Sequence, residues 1–333
     1  MSKTPTVKIL VAYHKPSYLL KSDVFVPIHV GRAVANMKHK DGALSSKDIK
    51  WLKKNLIGDD TGENISLKNR NYCEATAIYW AWKNYDKLGN PDYIGLAHYR
   101  RFFILNEKYE KHFANDLDER WNVVHLNTYT KTILKKAGIT SNDIYYYLGG
   151  YDAIVTPHAD LKRENISNVK DDYAAIGGLK AKDFDLLLET VSSMYPEYIP
   201  DVRKLADESS KHMYNMFVMK RDLFMKYCSF LFSVLFELDK KIDFSDYDIN
   251  GKRSLGYLAE LLTTLFIFNM YRKNYKLKEC GILYSDSFTS KIDIFSINIK
   301  YMIYKLSYRI LKFPNLKKKL QKYNEKLETI YNS

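Results

Sequence analysis

The sequence is poor in cysteine and lacks the spacings that mark a zinc site. Its 333 residues contain three cysteines, Cys73, Cys228 and Cys280, and no CxxC or Cys/His pattern joins them. Three thiols cannot all pair, which excludes a complete disulfide framework. This cysteine usage is typical of a reducing compartment, so we expect a bacterial cytoplasmic location.

A long uncharged apolar run and an apolar leader are also lacking. The longest apolar stretch, residues 255–271, contains Glu260 and is typical of a buried helix rather than a membrane span. The first eight residues are polar, so we expect no signal peptide. With 46% hydrophobic, 14% aromatic and 27% charged residues, the composition excludes a disordered or low-complexity chain.

Positive charge is concentrated near the end of the chain. The net charge is +13, and residues 291–333 hold ten basic and three acidic side chains, which is more than half of that excess. Within residues 297–312, Lys305, Arg309 and Lys312 lie on one helical side and apolar residues fill much of the rest. This basic amphipathic pattern predicts binding to an anionic membrane surface. The alternative is a helix packed on the body with its polar face in solvent.

Three short apolar runs predict buried strands of an α/β layer. They cover residues 8–13, 93–97 and 151–157, and helical patterns lie between them. The second half of the chain is mainly helical, with predicted helices at 182–195, 222–242 and 255–272 and a predicted strand at 213–219. We expect one compact body that binds ligands at the carboxyl ends of its strands.

Basic clusters follow two of the predicted strands. His14 and Lys15 follow the first strand, and the run His98-Tyr99-Arg100-Arg101 follows the second. A guanidinium group can give phosphate two parallel charged hydrogen bonds, and fixed cations stabilise a diphosphate leaving group. We therefore expect both clusters to converge on one anionic ligand. The alternative is a surface arginine pair beside a buried histidine and tyrosine.

Two glutamates are candidate functional carboxylates. Glu260 interrupts an apolar helix, where burial would raise its pKa and make it a proton acceptor near neutral pH. A salt bridge to Arg253 is the alternative interpretation of Glu260. Glu74 lies three residues after Asn71, which predicts a capping box at the start of a helix over residues 71–85. A ligand role for Glu74 would be contact with neutral hydroxyl groups.

The acidic pairs of the chain give a weak signal for a metal site. Asp183 and Asp185 enter a predicted amphipathic helix, and Asp246 and Asp248 lie in a polar loop. Neither pair follows a buried strand, so we predict no metal ligand. Dependence on Mn²⁺ or Mg²⁺ stays open, and basic side chains would supply the charge that a metal ion otherwise provides.

Six segments occur in a distinctive order along the chain. They are VAYHKP (11–16), GDDTGENIS (58–66), NYCEATAIYWAWKN (71–84), YIGLAHYRRFF (93–103), YNMFVMKRDLFMKYC (214–228) and GYLAELL (256–262). Over roughly residues 7–275 this order resembles a bacterial glycosyltransferase family long catalogued as a domain of unknown function and found in capsule, O-antigen and exopolysaccharide clusters. Characterised members of that family are similar to galactofuranosyltransferases that use UDP-galactofuranose.

The resemblance implies an α/β, GT-A-like fold. A donor-binding half would cover about residues 1–157, an acceptor-binding half 158–275, and a basic membrane-associating region 276–333. It places the nucleotide-sugar donor near two groups of residues, and an inverting member would need one carboxylate base. The first group is Tyr13, His14, Lys15, Asn71, Tyr72 and Glu74, the second is His98, Tyr99, Arg100 and Arg101, and the candidate bases are Glu260 and then Asp185.

Three functions are compatible with these patterns. The first is a glycosyltransferase at the inner face of the plasma membrane, with a UDP-sugar donor and a lipid-linked polysaccharide acceptor. The second is a nucleic-acid-binding protein, indicated by the +13 charge and 28 tyrosines, although no recognised nucleic-acid motif occurs. The third is a non-catalytic carbohydrate-binding or assembly subunit that kept the fold.

Overall fold

A computed structural model describes residues 4–38, 42–106, 108–109, 117–118, 123–139, 141–164, 166–288 and 291–331. Its strands are β1 Val7–Tyr13, β2 Phe25–His29, β3 Ile57–Gly58, β4 Tyr93–His98, β5 Arg101–Phe103, β6 Leu117–Asp118, β7 Val123–His125, β8 Ala153–Val155, β9 His158–Asp160, β10 Ser210–His212, β11 Phe217–Lys220, β12 Leu277–Glu279 and β13 Ile282–Tyr284. Its helices are α1 Ser46–Asn55, α2 Asn69–Tyr72, α3 Ala75–Lys83, α4 Lys131–Lys136, α5 Ser141–Leu148, α6 Val169–Ala175, α7 Ala181–Met194, α8 Ile199–Asp207, α9 Arg221–Lys241, α10 Ser254–Arg272, α11 Lys291–Leu311 and α12 Pro314–Tyr331.

A mostly parallel sheet organises the described part of the chain. Seven strands lie in the order β12-β8-β11-β4-β1-β2-β3. At the carboxyl end of β4 the sheet continues through β5, which pairs with β4, and then through β13, β7 and β6. Strands β1 to β4 are mutually parallel, whereas β11 runs antiparallel between β4 and β8. The α/β prediction is therefore confirmed. Because β11 belongs to the second half of the chain, the two halves share one sheet.

The two faces of the sheet bury different helices. Leu10 and Leu96 face α3, α9 and α10, whereas Ile9 and Val11 face the side that carries α1, α4 and α5. Successive strand residues thus point to opposite layers, and both layers are apolar, which explains the uninterrupted apolar runs in the sequence. The three predicted late helices are confirmed as α7, α9 and α10 within two residues at each end.

The last two helices pack against each other. Tyr304 of α11 stacks on Tyr323 of α12 with ring centroids 5.4 Å apart, and Leu327 is buried. The predicted amphipathic helix is therefore confirmed as part of α11. Its apolar side is left in solvent, since Met302 is 60% and Leu306 61% exposed. None of the described helices has both the length and the apolar character that a membrane crossing requires.

Candidate active site

The carboxyl ends of β1 and β4 lie side by side and bring the two basic clusters together. Tyr99 stacks on Tyr13 with centroids 5.5 Å apart, meets the His14 ring edge-on at 5.3 Å, and has the Lys15 ammonium 5.9 Å from its centroid. The expected convergence of the two clusters is thus seen in the geometry. Tyr13 itself is fully buried and its hydroxyl donates to the Tyr18 carbonyl oxygen at 2.8 Å, so it supports the loop after β1.

Arg100 and Arg101 surround one aromatic ring although they are adjacent in sequence. β4 and β5 pair through His98 and Arg101, which makes Tyr99 and Arg100 the turn between the strands. The two guanidinium carbons lie 5.7 and 5.1 Å from the Tyr284 centroid. Both side chains therefore reach the same region, a convergence that the sequence did not require.

The two arginines have different partners. Arg100 donates from Nη1 to Oδ1 of Asp286 at 2.8 Å, and the Tyr284 hydroxyl donates to Oδ2 of the same carboxylate at 2.6 Å. The Tyr284 hydrogen bond, and then the charges of Arg100 and Lys15, hold the pKa of Asp286 below its ordinary value. Arg101 instead lies 4.3 Å over the Tyr214 ring. Among the described residues no carboxylate pairs with Arg101, and its Nε is buried without a hydrogen-bond partner.

Glu74 follows a break between two helices, which corrects the predicted single helix over residues 71–85. The chain forms α2, leaves helical geometry at Cys73 with φ 50°, and resumes as α3. Asn71 is therefore not an N-cap, and Glu74 makes no capping hydrogen bond. Tyr72 is fully buried in the core and so does not line the site. Glu74 itself accepts a hydrogen bond from Nδ2 of Asn215 at 2.8 Å.

Glu260 of α10 faces the same cluster. Burial raises its pKa to about 7; the charge of Lys211 and the Tyr214 backbone N–H oppose this rise, and the negative charge of Glu74 adds to it. The alternative salt bridge between Glu260 and Arg253 is not seen among the described residues. The Arg253 guanidinium group instead donates a hydrogen bond to Tyr257 Oη at 3.1 Å. The pKa of Glu260 is therefore raised by burial, in the direction that the sequence predicted.

A short strained segment joins the histidine to the carboxylates. Nε2 of His98 donates to the Tyr214 carbonyl oxygen at 2.7 Å, and burial lowers the pKa of His98, which makes it a neutral imidazole. Tyr214 and Asn215 both have positive φ, 75° and 50°. A positive φ is unfavourable for residues other than glycine and persists only where surrounding contacts hold the backbone in place. Such strained residues are often found at functional sites. The predicted strand over residues 213–219 is thus shorter, and its first residues form this segment.

Asp185 lies apart from this cluster. It is half-exposed on α7 and pairs with Lys170 at 2.8 Å, and no contact among the described residues links it to Glu260. Asp183 is buried and accepts a hydrogen bond from the Tyr247 hydroxyl at 2.7 Å, so it supports the fold. The described residues contain no group of three or more histidine, cysteine, aspartate or glutamate side chains that could hold a metal ion.

Sequence reasoning missed five residues of the cluster, which are Lys211, Tyr214, Asn215, Tyr284 and Asp286. Tyr214 and Asn215 were hidden in a predicted strand, and the only signal was an asparagine, a residue that tolerates positive φ. Lys211 is buried and pairs with Asp172 at 2.5 Å. Tyr284 is the last residue of β13 and Asp286 lies two residues beyond it, where no local pattern indicates that Asp286 has a partner 186 residues away.

Comparison with solved structures finds the same architecture in a glycosyltransferase. The apo structure of WbbM, a bifunctional glycosyltransferase, is 31% identical and superposes with a TM-score of 0.72 over 85% of this chain. This chain spans 46% of the length of that protein. No curated protein matches the sequence. The family described as a domain of unknown function, DUF4422, matches residues 8–273, which include every residue of the cluster except Tyr284 and Asp286. The chain belongs to the DUF4422 family, and its α/β fold is similar to that of a glycosyltransferase.

Proposed function

We propose that this protein is a glycosyltransferase that moves a sugar from a UDP-sugar donor to a hydroxyl group of a growing surface polysaccharide. The observation that carries this proposal is that Glu260 and Arg101 lie close enough for the charge of Arg101 to act on Glu260. The pKa of Glu260 is about 7, and Arg101 has no carboxylate partner among the described residues. A proton acceptor and an anion-binding cation are the two groups that such a transfer needs. The likeness to WbbM supports the same reaction class.

The chemistry follows from the positions of these groups. Glu260 would take the proton of the acceptor hydroxyl group. At the same time the oxygen of that hydroxyl group attacks the anomeric carbon of the donor sugar. The bond from that carbon to the diphosphate breaks, and the diphosphate leaves with the electron pair through an oxocarbenium-like state. Arg101, with Arg100 and Lys15, would stabilise the negative charge that grows on the diphosphate. Attack opposite the leaving group gives inversion at the anomeric carbon.

Galactofuranose is the sugar favoured by the family resemblance, and the acceptor class is a lipid-linked oligosaccharide at the inner face of the plasma membrane. The α11–α12 pair supports this placement, because α11 exposes an apolar row beside basic residues. Ile299, Met302, Ile303 and Leu306 recur at helical spacing and are all at least 36% exposed. An apolar row flanked by cations matches an anionic lipid surface in both polarity and charge.

The divalent ion is proposed to be dispensable. In the described part of the chain Asp183 is bonded to Tyr247 in the core and Asp185 pairs with Lys170 at the surface. Three cations, Lys15, Arg100 and Arg101, lie together at the candidate diphosphate position. Fixed cations can do the charge-stabilising work that a metal ion does in other phosphate sites. Mn²⁺ or Mg²⁺ dependence is the competing expectation, and EDTA separates the two.

Calorimetry of UDP binding, paired with a transfer assay on UDP-galactofuranose, tests the proposal. We expect micromolar UDP binding that survives EDTA and falls in Arg101→Ala, together with sugar transfer that Glu260→Gln abolishes. Lys170→Ala, which frees Asp185 on α7, is the matched control and should change neither. Binding without turnover, unchanged in Glu260→Gln, would favour a non-catalytic carbohydrate-binding subunit. Absence of UDP binding in both EDTA and Mn²⁺ would overturn the proposal.

A further inference from the structure

The segment GDDTGENIS (58–66) supplies none of the residues of the candidate active site, and its two glycines make room for two cations. A Cβ atom added to Gly58 would lie 2.5 Å from Nε of Arg32. One added to Gly62 would lie 2.5 Å from Nζ of Lys87. Gly62 also has φ 61°, a backbone conformation that favours glycine. A larger residue at either position would therefore meet a cationic group.

Asp59 fixes the position of Arg32 beside this segment. Its buried carboxylate accepts the backbone N–H groups of Gly31 and Arg32 at 2.7 and 3.0 Å. The Arg32 guanidinium group then donates from Nη2 to the Leu56 carbonyl oxygen at 2.6 Å. Backbone and side chain of Arg32 are thus both held, which sets the place of its charge next to Gly58.

Arg32 and Lys87 line a cleft of about 560 Å³ together with Lys8. Pockets that bind small molecules have volumes of about 300–1,000 Å³, so the cleft can hold a ligand of that kind. None of the described residues that line it is an aspartate or a glutamate. The cleft is therefore cationic.

The charge of the cleft is only partly neutralised. Asp60 Oδ1 lies 3.8 Å from Nε of Arg32. In the described part of the chain the two lysines bond neutral oxygens instead of carboxylates. Lys8 donates to the Asp23 carbonyl oxygen at 2.6 Å, and Lys87 donates to Oδ1 of Asn84 at 2.9 Å. Three cations thus face one carboxylate, which favours an anionic ligand.

The rest of the lining is mostly apolar. It includes Val26, Ile57 and Leu88 and the indole ring of Trp80. The Trp80 indole N–H donates to the Thr61 carbonyl oxygen at 2.8 Å, and the Thr61 hydroxyl donates to the Gly58 carbonyl oxygen at 3.2 Å. Because these two polar side chains already have partners, the lining offers little to the many hydroxyl groups of a sugar. A hydrocarbon group matches it better.

The cleft and the candidate active site lie at different places on the sheet. Lys8 is five residues before Tyr13, which corresponds to about 17 Å along a strand. Leu88 and Gly89 come after the carboxyl end of α3, whereas Glu74 precedes its first residue. A ligand in the cleft would therefore not take the place of a donor in the active site.

We propose that this cleft is a second anion-binding site, which takes a phosphate ester whose other part is a hydrocarbon chain or ring. The phosphate lies among Lys8, Arg32 and Lys87, and the hydrocarbon lies against Val26 and Ile57. A soluble ester and the head of a phosphorylated lipid share this chemistry. The proposal does not depend on the reaction at the active site.

Calorimetry with three phosphate esters tests the proposal. Phenyl phosphate is the soluble probe, farnesyl phosphate below its critical micelle concentration is the lipid probe, and glucose 1-phosphate carries a polyhydroxylated group instead. We expect the better of the two apolar esters to bind about tenfold more tightly than glucose 1-phosphate, because its hydrocarbon part leaves water. Tighter binding of farnesyl phosphate assigns the site to a lipid head, and tighter binding of phenyl phosphate assigns it to a soluble ester.

Variants locate the binding in the cleft. Lys8→Gln combined with Lys87→Gln should weaken the better ester about tenfold, because two of the three cations are lost. Lys47→Gln combined with Lys50→Gln is the matched control, since it removes the same charge from exposed positions on α1. Arg101→Ala, which alters the candidate donor site, should leave this affinity unchanged.

Three results would overturn the proposal. They are equal weakening in the two lysine pairs, loss of ester binding in Arg101→Ala, and binding of glucose 1-phosphate as tight as that of both apolar esters. Ile57→Thr keeps the branched side chain and should reduce the preference for the apolar esters without removing a charge. Absence of UDP binding in the wild type would end the proposed function, whereas ester binding that requires Lys8 and Lys87 would still establish the cleft.

Discussion

Gly256 on α10 touches Cys73 at the break between α2 and α3. A Cβ atom added to Gly256 would lie 2.7 Å from the Cys73 Sγ and 2.9 Å from its Cβ, so no larger residue fits without movement. This contact joins two distant segments, NYCEA and GYLAELL. It also brings Glu74, next to Cys73, and Glu260, one helical turn beyond Gly256, onto the same side of the sheet.

Gly256→Ala should therefore destabilise the fold and disturb the carboxylate pair. Overpacking at a tight contact costs about 1–3 kcal/mol, and the strain falls on the residue before Glu74. Urea denaturation measures the cost. Adding Cys73→Gly removes both clashing atoms and suits the positive φ at that position, so the double variant should recover stability. Equal stability of the single variant and the wild type would contradict the contact.

Glu260→Gln should remove transfer activity while leaving UDP affinity unchanged. A positioned base contributes about 10²–10⁴-fold to rate, and the amide cannot accept the proton. In the wild type, activity should rise with pH through about 7, because the pKa of Glu260 is raised to about 7 and only its ionised form is a base. A pH profile of kcat/KM checks this. If the rising limb of kcat/KM has the same apparent pKa in Glu260→Gln as in the wild type, a residue other than Glu260 is the base.

The same substitution should stabilise the protein at alkaline pH. The pKa of Glu260 is about 7 in the fold and 4.5 ordinarily. Because the folded value is the higher one, the stability that the protonated group contributes is present below about pH 4.5 and is lost as pH rises through 7. The loss amounts to about 3 kcal/mol at pH 8. Urea unfolding of wild type and Glu260→Gln at pH 4 and pH 8 should show the gap almost entirely at pH 8.

The sequence predicted the sheet and the raised pKa of Glu260 for the same reason. Residues 9–13 and 93–97 are apolar and buried on both faces, and Glu260 breaks a helix whose other residues are mostly apolar and buried. The break at Cys73 could not be predicted, because the local capping pattern of Asn71 and Glu74 yields to the close contact with α10.

The positions of the other predicted site residues also depend on contacts that the local sequence does not encode. The family resemblance places Tyr13 and Tyr72 near the donor, and the structure buries both side chains completely. The residue type alone does not predict whether a tyrosine is buried. Asp286 reaches Arg100 only through the pairing of β13 with β5, and no short-range pattern encodes that register. The family resemblance made Asp185 the second candidate base. It turns out to lie on the other side of its helix from the buried Asp183.

Arg100 and Arg101 should differ in their contribution to UDP binding. Arg101→Ala removes a guanidinium that no described carboxylate neutralises, so affinity should fall about tenfold or more. Arg100 is already paired with Asp286, which is 57% exposed, so Arg100→Ala should cost only about two- to fivefold. Asp286→Asn should have the opposite sign and tighten binding slightly. Calorimetry on the three variants measures these effects, and weaker binding in Asp286→Asn would make Asp286 part of the donor site.

The exposed row on α11 should bind anionic vesicles. Met302→Gln combined with Leu306→Gln removes two of the most exposed apolar side chains of the row and should abolish co-sedimentation with phosphatidylglycerol vesicles. Lys305→Gln combined with Arg309→Gln should weaken it by about fivefold for each charge, since a cation near an anionic surface contributes about 1 kcal/mol. Leu67→Gln is the matched control, because Leu67 is 75% exposed outside α11 and α12.

The composition of the vesicle separates the two contributions to this binding. Phosphatidylcholine vesicles retain the apolar interior but lack the negative surface, so the wild type should bind them weakly and the charge variants should bind them as the wild type does. High salt should release the protein from phosphatidylglycerol because it screens the surface charge. Equal binding of wild type and the Met302 and Leu306 double variant to phosphatidylglycerol would show that the row does not enter the lipid. The α11–α12 pair would then hold the membrane by charge alone, with its apolar side free for another partner.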